Sequence, residues 1–157
     1  MLIRLALLFC LACLAPAGQA GAAEIPAAKG PVILTVSGKI AHRNGPDGAT
    51  FDAAMLDALP KRRTTASTPW YSDKMRFEGP LGAALLDQVG ATGTTLKVTA
   101  LNDYAVEIPV EDFRKGPVIL ATKINDKPIS VRDKGPIFVI YPFDEQPSLY
   151  NELYFGR

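Results

Sequence analysis

The chain has 157 residues, of which 17 are basic and 16 are acidic, with 48% hydrophobic residues, one histidine and two cysteines. This length suits one domain and excludes a multidomain enzyme with a separate cofactor domain. The composition excludes a disordered chain, a collagen-like chain and a disulfide scaffold. The near-neutral charge argues against nucleic-acid binding, which needs a basic surface.

Residues 1–23 have the three-part pattern of a secretory signal peptide. Arg4 supplies the positive charge, an apolar run extends from Leu5 to Ala15, and Ala20-Gly21-Ala22 is a candidate cleavage site. The apolar run is too short to span a bilayer, which takes about 20 residues. We therefore expect a signal peptide over residues 1–23, a single domain over residues 24–157, a periplasmic location and no membrane span after cleavage.

Cleavage changes the charge and thiol content of the protein. Removing 23 of 157 residues leaves 134, and the loss of Arg4 leaves 16 basic against 16 acidic side chains. Cys10 and Cys13 both lie in the predicted signal peptide. The mature chain would therefore have no disulfide, no thiolate nucleophile and no thiolate metal ligand.

The first part of the mature chain alternates predicted strands with short predicted helices. Apolar spacing, β-branched residues and the proline and glycine positions define these elements. In chain order they are a strand over Val32–Ile40, a helix over Phe51–Leu59 with Thr50 as its N-cap, an edge strand over Lys61–Thr68, an extended piece over Lys74–Phe77, and a helix over Pro80–Val89 that Gly90 ends.

The clearest local signal is a hairpin around the loop Leu101–Asp103. A three-residue loop keeps the apolar residues of both segments on one face, whereas a two-residue loop would mix the two faces. Asn102 or Asp103 can take the left-handed conformation that the loop needs. The predicted cross-strand pairs are Leu96 with Ile108, Val98 with Val106, Ala100 with Tyr104, and Lys97 with Glu107.

The remainder of the chain predicts a helical turn over Val110–Lys115 and two strands covered on both faces, within Val118–Ile124 and Ile137–Tyr141. A turn over Asn125–Pro128 follows the first of these runs, and Pro147–Arg157 is expected to contain a short helix. The fold class predicted from these elements is α+β, mixed and mainly β, with two or three short peripheral helices.

Few polar side chains form a pattern that carries chemistry. His42 is the only imidazole, so neither a zinc site nor a Ser-His-Asp triad is expected. Lys61-Arg62-Arg63 either meets an anionic group or, as we favour, protects a solvated edge strand by its charge. Asp144-Glu145 is interpreted as a solvated loop. Aromatic residues in or next to loops, which either line a pocket or close the ends of the core, are Trp70, Tyr71, Tyr141, Phe143, Tyr150 and Tyr154.

Three segments of the second half occur in a characteristic order. They are Arg76–Leu81 with Leu85-Leu86, then Ala100–Tyr104 with Ile108-Pro109, and then Asn125–Ile129 followed by Arg132–Val139. Their order and spacing resemble those of the sulfite-oxidase-type molybdopterin-binding family, including its A-x-D-G-Y hairpin and its R-D-G-G-P segment. The resemblance implies a sulfite-oxidase-like molybdopterin-binding fold and, as a cofactor, molybdopterin.

The sequence departs from that family at positions on which the family's catalysis depends. Enzymes of the family hold molybdenum through one Cys thiolate, and the predicted mature chain has no cysteine. Phe138 stands where the family has an arginine, and Asp103 stands where its hairpin has a glycine. The family's Y-G-x-K region is not recognisable in residues 143–157, and we expect its last strand to be missing from this sequence. Residues 24–75 are too short for its N-terminal cofactor contacts.

These observations favour an exported protein without catalytic molybdenum that binds a small anionic ligand or a periplasmic protein partner, as an accessory or sensor-input component. One alternative is a molybdopterin-dependent oxidoreductase of the sulfite oxidase type, and another is an unrelated structural or interaction module. No catalytic residue and no metal ligand is predicted. By analogy with the fold, the candidate ligand-binding residues are Asn102, Asp103, Tyr104, Arg132 and Trp70.

Overall fold

The computed structural model describes residues 24–157. The predicted signal peptide, residues 1–23, lies outside the described residues. Residues 24–157 form ten β-strands and four short α-helices, a mixed α+β arrangement that is mainly strand, as the sequence predicts. The sequence predicts two or three helices, and the structure has four among the described residues. No helix among the described residues is long and apolar enough to cross a membrane.

An antiparallel pair of strands leads directly into the first helix. Strand β1 (Val32–Val36) pairs with β2 (Ala49–Asp52), and α1 (Ala53–Ala58) follows without a loop. The strand predicted over Val32–Ile40 ends at its fifth residue, and Gly38 follows with a φ of 93°. This left-handed conformation ends the extended backbone and favours glycine.

The first helix begins later than the prediction of Phe51–Leu59 with Thr50 as its cap. Phe51 belongs to β2 and is 1% exposed, so pairing with β1 and burial override its helical spacing. Asp52 is the actual N-cap, because its Oδ1 accepts a hydrogen bond from Met55 N at 2.9 Å. Its Oδ2 accepts from two backbone N–H groups of the preceding segment, at 2.9 and 2.8 Å. These bonds, with that from Met55 N the largest, lower the pKa of Asp52.

Strands β3 (Lys61–Thr68) and β4 (Tyr71–Pro80) form the longest antiparallel pair. The predicted strand over Lys61–Thr68 is confirmed, whereas the extended piece predicted over Lys74–Phe77 is only the middle of β4. Pro80 was expected in the first turn of the next helix, but it is the last residue of β4. Helix α2 (Gly82–Gln88) therefore starts two residues later, and its first N–H donates to the carbonyl oxygen of Val118 at 2.9 Å.

The hairpin of β5 (Thr95–Thr99) and β6 (Ala105–Pro109) has the predicted register. Ala100 N donates to Tyr104 O at 2.8 Å and closes the three-residue loop. Asp103 has a φ of 63°, the left-handed conformation expected there. The observed cross-strand pairs include Leu96 with Ile108, Lys97 with Glu107, and Val98 with Val106.

Helix α3 (Val110–Lys115), which the sequence predicts, connects the hairpin to β7 (Ile119–Ala121). The apolar run that begins with β7 continues into β8 (Lys123–Ile124), which pairs with β9 (Lys127–Pro128) across a tight turn. Strand β8 also pairs with β4, so one sheet has the antiparallel order β3-β4-β8-β9. This order places β3 at an edge, as predicted.

Strand β7 lies at the centre of the core and pairs with β10 (Phe138–Ile140). All three residues of β7 are buried, which confirms that this strand is covered on both faces. Leu120 packs with residues of β2, α1 and α2, whereas Ile119 packs with residues of β3, β4 and β10. Val118, next to β7, packs with residues of α2, β6 and α3. This one segment therefore contributes to all three hydrophobic clusters.

Residues Pro147–Arg157, which we call the strap, lie after the last strand. The strap contains a 3-10 turn (Pro147–Leu149) and α4 (Glu152–Phe155). Its backbone forms hydrogen bonds within the strap and with the adjoining Gln146, and with no other backbone group of residues 24–157. Side chains therefore hold the strap against the rest of the domain.

Ion pairs cover part of the solvent-facing side of the β3–β4 pair. Glu78 accepts from Arg63 Nη2 at 2.5 Å and lies 3.5 Å from Lys123 Nζ. The Lys123 ammonium also lies 3.1 Å from Asp57, which Lys61 approaches to 2.9 Å. The hydrogen bond from Arg63 lowers the pKa of the Glu78 carboxyl below its ordinary value of 4.5.

The packing of β4 on β7 predicts a strong effect of the substitution Gly79→Ala. A Cβ at Gly79 would overlap the carbonyl oxygen of Leu120 and lie 2.7 Å from the Cα of Ala121. We expect the free energy of unfolding, measured by urea denaturation, to fall by about 1–3 kcal/mol. Gly93→Ala is the control, because its Cβ would meet nothing closer than 3.8 Å. Equal stability of the two variants would contradict the close approach of β4 and β7.

The lowered pKa of Glu78 predicts a pH-dependent effect of Glu78→Gln. The stability that Glu78 contributes is present above its ordinary pKa of 4.5 and is lost as the pH falls through its lower folded value. We expect Glu78→Gln to unfold at a lower temperature than the wild type at pH 7, and the gap to shrink towards pH 3. Glu24→Gln, at an exposed residue without an ion pair in the described part of the chain, should show no such gap. A gap that stays constant with pH would contradict this role of Glu78.

Candidate functional site

Nine aromatic rings form a continuous series of contacts from the β3–β4 pair to the strap. The centroids of neighbouring rings lie 4.8 to 6.3 Å apart, in tilted or edge-on geometry. The members include every loop aromatic that the sequence singled out, and each of these rings contacts at least one other ring of the series. The nine are Trp70, Tyr71, Phe77, Phe138, Tyr141, Phe143, Tyr150, Tyr154 and Phe155.

Trp70 lies in the turn that joins β3 to β4 and is half-buried. Its ring centroid is 4.9 Å from that of Phe138 in β10 and 6.1 Å from that of Phe155 in the strap. The tight turn places this side chain at the end of the sheet, where β10 and the strap meet. Trp70 therefore connects the core to the strap, and it is also a candidate ligand-binding residue.

The hairpin tip presents Asn102, Asp103 and Tyr104, all of them exposed. Asn102 Oδ1 accepts from Tyr104 N at 3.3 Å, so the amide side chain supports the turn. The Tyr104 hydroxyl donates to the carbonyl oxygen of Gly156 at 3.1 Å. The hairpin tip is thus attached to the strap through one side chain.

Arg132 lies in an exposed 3-10 turn, Val131–Asp133, and its side chain forms no hydrogen bond or ion pair within residues 24–157. Two residues later, Lys134 Nζ lies 5.7 Å from the ring centroid of Tyr71. Burial and the nearby Asp133 charge raise the pKa of Tyr71. The loop that carries Arg132 therefore lies beside the start of β4.

The strap brings two of the predicted site residues to one region. Tyr104 contacts Gly156 and Trp70 contacts the preceding Phe155, so the hairpin tip and the β3–β4 turn meet the same segment. Asn102 and Asp103 accompany Tyr104 on the hairpin tip. Among the described residues, no hydrogen bond or ring contact joins Arg132 to the other four.

Sequence reasoning missed a largely buried polar cluster at the same place. Asp112 Oδ2 accepts from Arg157 Nη1 at 2.5 Å and from the Tyr141 hydroxyl at 2.8 Å. The side chains of Asp112 and Arg157 are only 16% and 15% exposed. Burial, followed by the bond to Asp112, raises the pKa of Tyr141. The ion pair joins residues 45 positions apart, so no local spacing in the sequence indicates it.

The basic cluster Lys61-Arg62-Arg63 is paired with acidic side chains of the same domain. Lys61 and Arg63 belong to the ion pairs of the β3–β4 face, and Arg62 Nη2 donates to both carboxylate oxygens of Glu145 at 2.5 and 2.7 Å. Asp144 accepts from Ser67 N at 3.0 Å. The loop containing Asp144 and Glu145 is exposed, as the sequence predicts. It is also attached to β3, because the edge strand offers both a free backbone N–H and a guanidinium.

His42 lines a shallow groove of about 470 Å³ along α2, far in sequence from the strap. Its Nδ1 forms a 2.9 Å hydrogen bond with the carbonyl oxygen of Gln88, which leaves the ring half-buried and partnered. Leu59, Pro60 and Leu81 make the remaining wall mainly apolar. The other titratable residue in the lining is Asp87, and its carboxylate forms an ion pair with Arg114.

The donor set does not fit a molybdenum centre held by a protein thiolate. The sequence has no cysteine after Cys13. Within residues 24–157, no group of three or more histidine, cysteine, aspartate or glutamate side chains is placed to hold a metal ion.

Comparison with models of known protein families found no matching family, and comparison with curated proteins found no matching protein.

The buried cluster predicts a specific cost for Tyr141→Phe. This substitution keeps the ring but removes the hydroxyl that donates to Asp112, and bonds to charged groups contribute about 1.5–3 kcal/mol. We expect the free energy of unfolding to fall by that amount in urea denaturation. Tyr150→Phe is the matched control, because its hydroxyl forms no hydrogen bond within residues 24–157 although its ring packs on Phe143 and Phe155. A similar loss in both variants would contradict the role assigned to the Tyr141 hydroxyl.

Proposed function

We propose that this chain is an exported, periplasmic domain of the sulfite-oxidase-type molybdopterin-binding fold that has no catalytic molybdenum. It binds a ligand or a protein partner as an accessory or sensor-input component. The family resemblance of the segments between Arg76 and Pro142 supports the fold. The departure that matters for function is the missing thiolate, since both cysteines lie in the predicted signal peptide. Such a domain keeps a surface for recognition and lacks the ligand that redox catalysis in that family needs.

The observation that carries the binding function is an exposed apolar surface on the hairpin tip and the strap. Four of the six large apolar side chains that are exposed among residues 24–157 lie on these two elements. They are Leu101, Tyr104, Tyr150 and Leu153. The bond from Tyr104 to Gly156 holds the two elements together. Exposed apolar side chains that gather in this way are typical of protein–protein contacts, so a protein partner is the favoured ligand.

A small anionic ligand is the second candidate, and a different loop favours it. Lys127, Arg132 and Lys134 form no ion pair within the described residues. Residues 127–134 contain these three cations and one anion, Asp133, so the loop has a net charge of +2 and a positive potential that attracts anions. The loop lies beside Tyr71, next to Trp70, so an anion bound here would lie near the aromatic series.

The alternative of a molybdopterin-dependent oxidoreductase predicts a bound metal. Metal analysis of the protein purified from the periplasm of molybdenum-replete cells tests it directly. We expect less than a tenth of a molybdenum atom per chain and no pterin fluorescence after denaturation. Stoichiometric molybdenum with a pterin would overturn the proposed function and favour the enzyme.

The proposed function also predicts the behaviour of the double variant Asn102→Ala/Tyr104→Ala. Both residues are exposed, so their removal should lower the unfolding temperature little while it weakens binding of proteins retained from periplasmic extract on the immobilised chain. Glu107→Ala, an exposed residue of the same hairpin away from the tip, is the control. A large loss of stability with unchanged binding would make Asn102 and Tyr104 turn and packing residues instead.

A further inference from the structure

The strap is attached to the domain almost entirely by side chains. Its backbone groups bond within the strap and to Gln146, and none extends a sheet among the described residues. A segment that adds no strand to a sheet can leave without breaking a ladder of backbone hydrogen bonds. Its release would cost the side-chain contacts described next and the packing of Leu149, Tyr150 and Tyr154 on the cluster that contains Tyr141 and Phe143.

Three consecutive residues of the strap contact three separate elements of the domain. The Phe155 ring packs between Trp70, at 6.1 Å, and Phe143, at 5.5 Å. The Gly156 carbonyl oxygen accepts the hydroxyl of Tyr104. The Arg157 guanidinium forms the ion pair with Asp112. Each of the three has its partner on a different element, namely the β3–β4 turn, the hairpin tip and α3.

Together these partners form a receptor with a defined chemistry. Trp70 and Phe143 provide an aromatic cradle, and Tyr104 provides a hydroxyl that donates to a backbone carbonyl. Asp112 provides a carboxylate that is largely buried and oriented by the Tyr141 hydroxyl. A carboxylate so shielded from water discriminates strongly for a guanidinium, because an unpaired charge there is costly.

We propose that Phe155–Arg157 occupies, within its own chain, a recognition site for a partner-protein segment that carries an aromatic residue and, two residues later, an arginine. The inference rests on the proposed binding function and identifies the kind of partner. The strap is then an internal competitor, and the partner binds by displacing it. Because the strap is covalently tethered, its effective concentration is high, so a partner must bind with additional contacts.

The exposed apolar side chains provide such contacts. Leu101 lies on the hairpin loop next to the Tyr104 donor and is 75% exposed. This side chain stays on the domain when the strap leaves. A partner segment that binds as the strap does and extends beyond it at Tyr104 would cover Leu101, which the strap leaves in water.

The test opens the site in the full chain and offers the strap as a separate peptide. The opened variant is Phe155→Ala/Arg157→Ala, and the probe is a fluorescein-labelled peptide of sequence PSLYNELYFGR, which is residues 147–157. We expect fluorescence anisotropy to show binding to the opened variant at least tenfold tighter than to the wild type. A peptide with alanine in place of its phenylalanine and arginine should not bind. Glu152→Ala, at an exposed residue of the same short helix whose side chain forms no ion pair among the described residues, is the control that keeps the wild-type response.

Variants of the receptor distinguish this site from non-specific binding. Adding Asp112→Asn or Trp70→Ala to the opened variant should weaken its affinity for the peptide by about tenfold or more, since each substitution removes a charged or aromatic contact. Adding Lys39→Ala should leave the affinity unchanged, because the Lys39 side chain is exposed and forms no hydrogen bond or ion pair with the strap among the described residues. Equal affinity in all of these variants would overturn the proposal.

The result is decisive whether or not the opened variant is stable. If the variant keeps the circular dichroism and cooperative unfolding of the wild type and does not bind the peptide, the proposal is overturned. If the variant does not fold, hydrogen exchange of the wild type decides. Strap amides that exchange faster than those of β7 support displacement, whereas strap amides that exchange only with global unfolding overturn it. The result of the peptide experiment does not affect the molybdenum assay. The proposal about the strap and the proposed function can therefore be overturned independently.

Discussion

The segment Val118–Ala121 holds the domain together, because it contributes to all three hydrophobic clusters. The strands form four small sheets, three of which have only two strands, and a two-stranded pair is at best marginally stable alone. Successive side chains of an extended segment point in opposite directions, so one short strand can pack against several layers. Gly79 completes the arrangement, since its lack of a side chain lets β4 approach the backbone of β7.

The aromatic series extends this core outward to the strap. Phe77 and Phe138 are close to the core, Trp70 lies at its end, and Phe155 belongs to the strap. The same rings therefore stabilise the sheet and form the cradle in which the strap lies. This double role explains why the loop aromatics do not form an open cavity. Their pocket is filled by the chain itself, and the apolar side chains that remain exposed lie at its margin.

Local patterns predicted those elements whose partners are close in sequence. The register of the β5–β6 hairpin follows from alternation across a three-residue loop, and α3 follows from the spacing within one turn. Prediction was wrong at Phe51 and Pro80, where helical spacing continued into residues that belong to strands. At Phe51, backbone pairing with β1 outweighs a weak local propensity, because it satisfies the N–H and carbonyl groups of a buried residue. Pro80 has no N–H, and it lies at the end of β4 opposite Lys61 of β3.

By itself, the sequence determined the mixed, mainly β character of the domain, the hairpin and its exposed tip, and the absence of any cysteine after residue 13. Only the tertiary structure decided that Tyr104 and Trp70 meet the same segment, and that Arg157 pairs with Asp112. The physical reason is distance along the chain. Alternation and helical spacing act over a few residues, whereas an ion pair between α3 and the strap forms only after the core has brought them together.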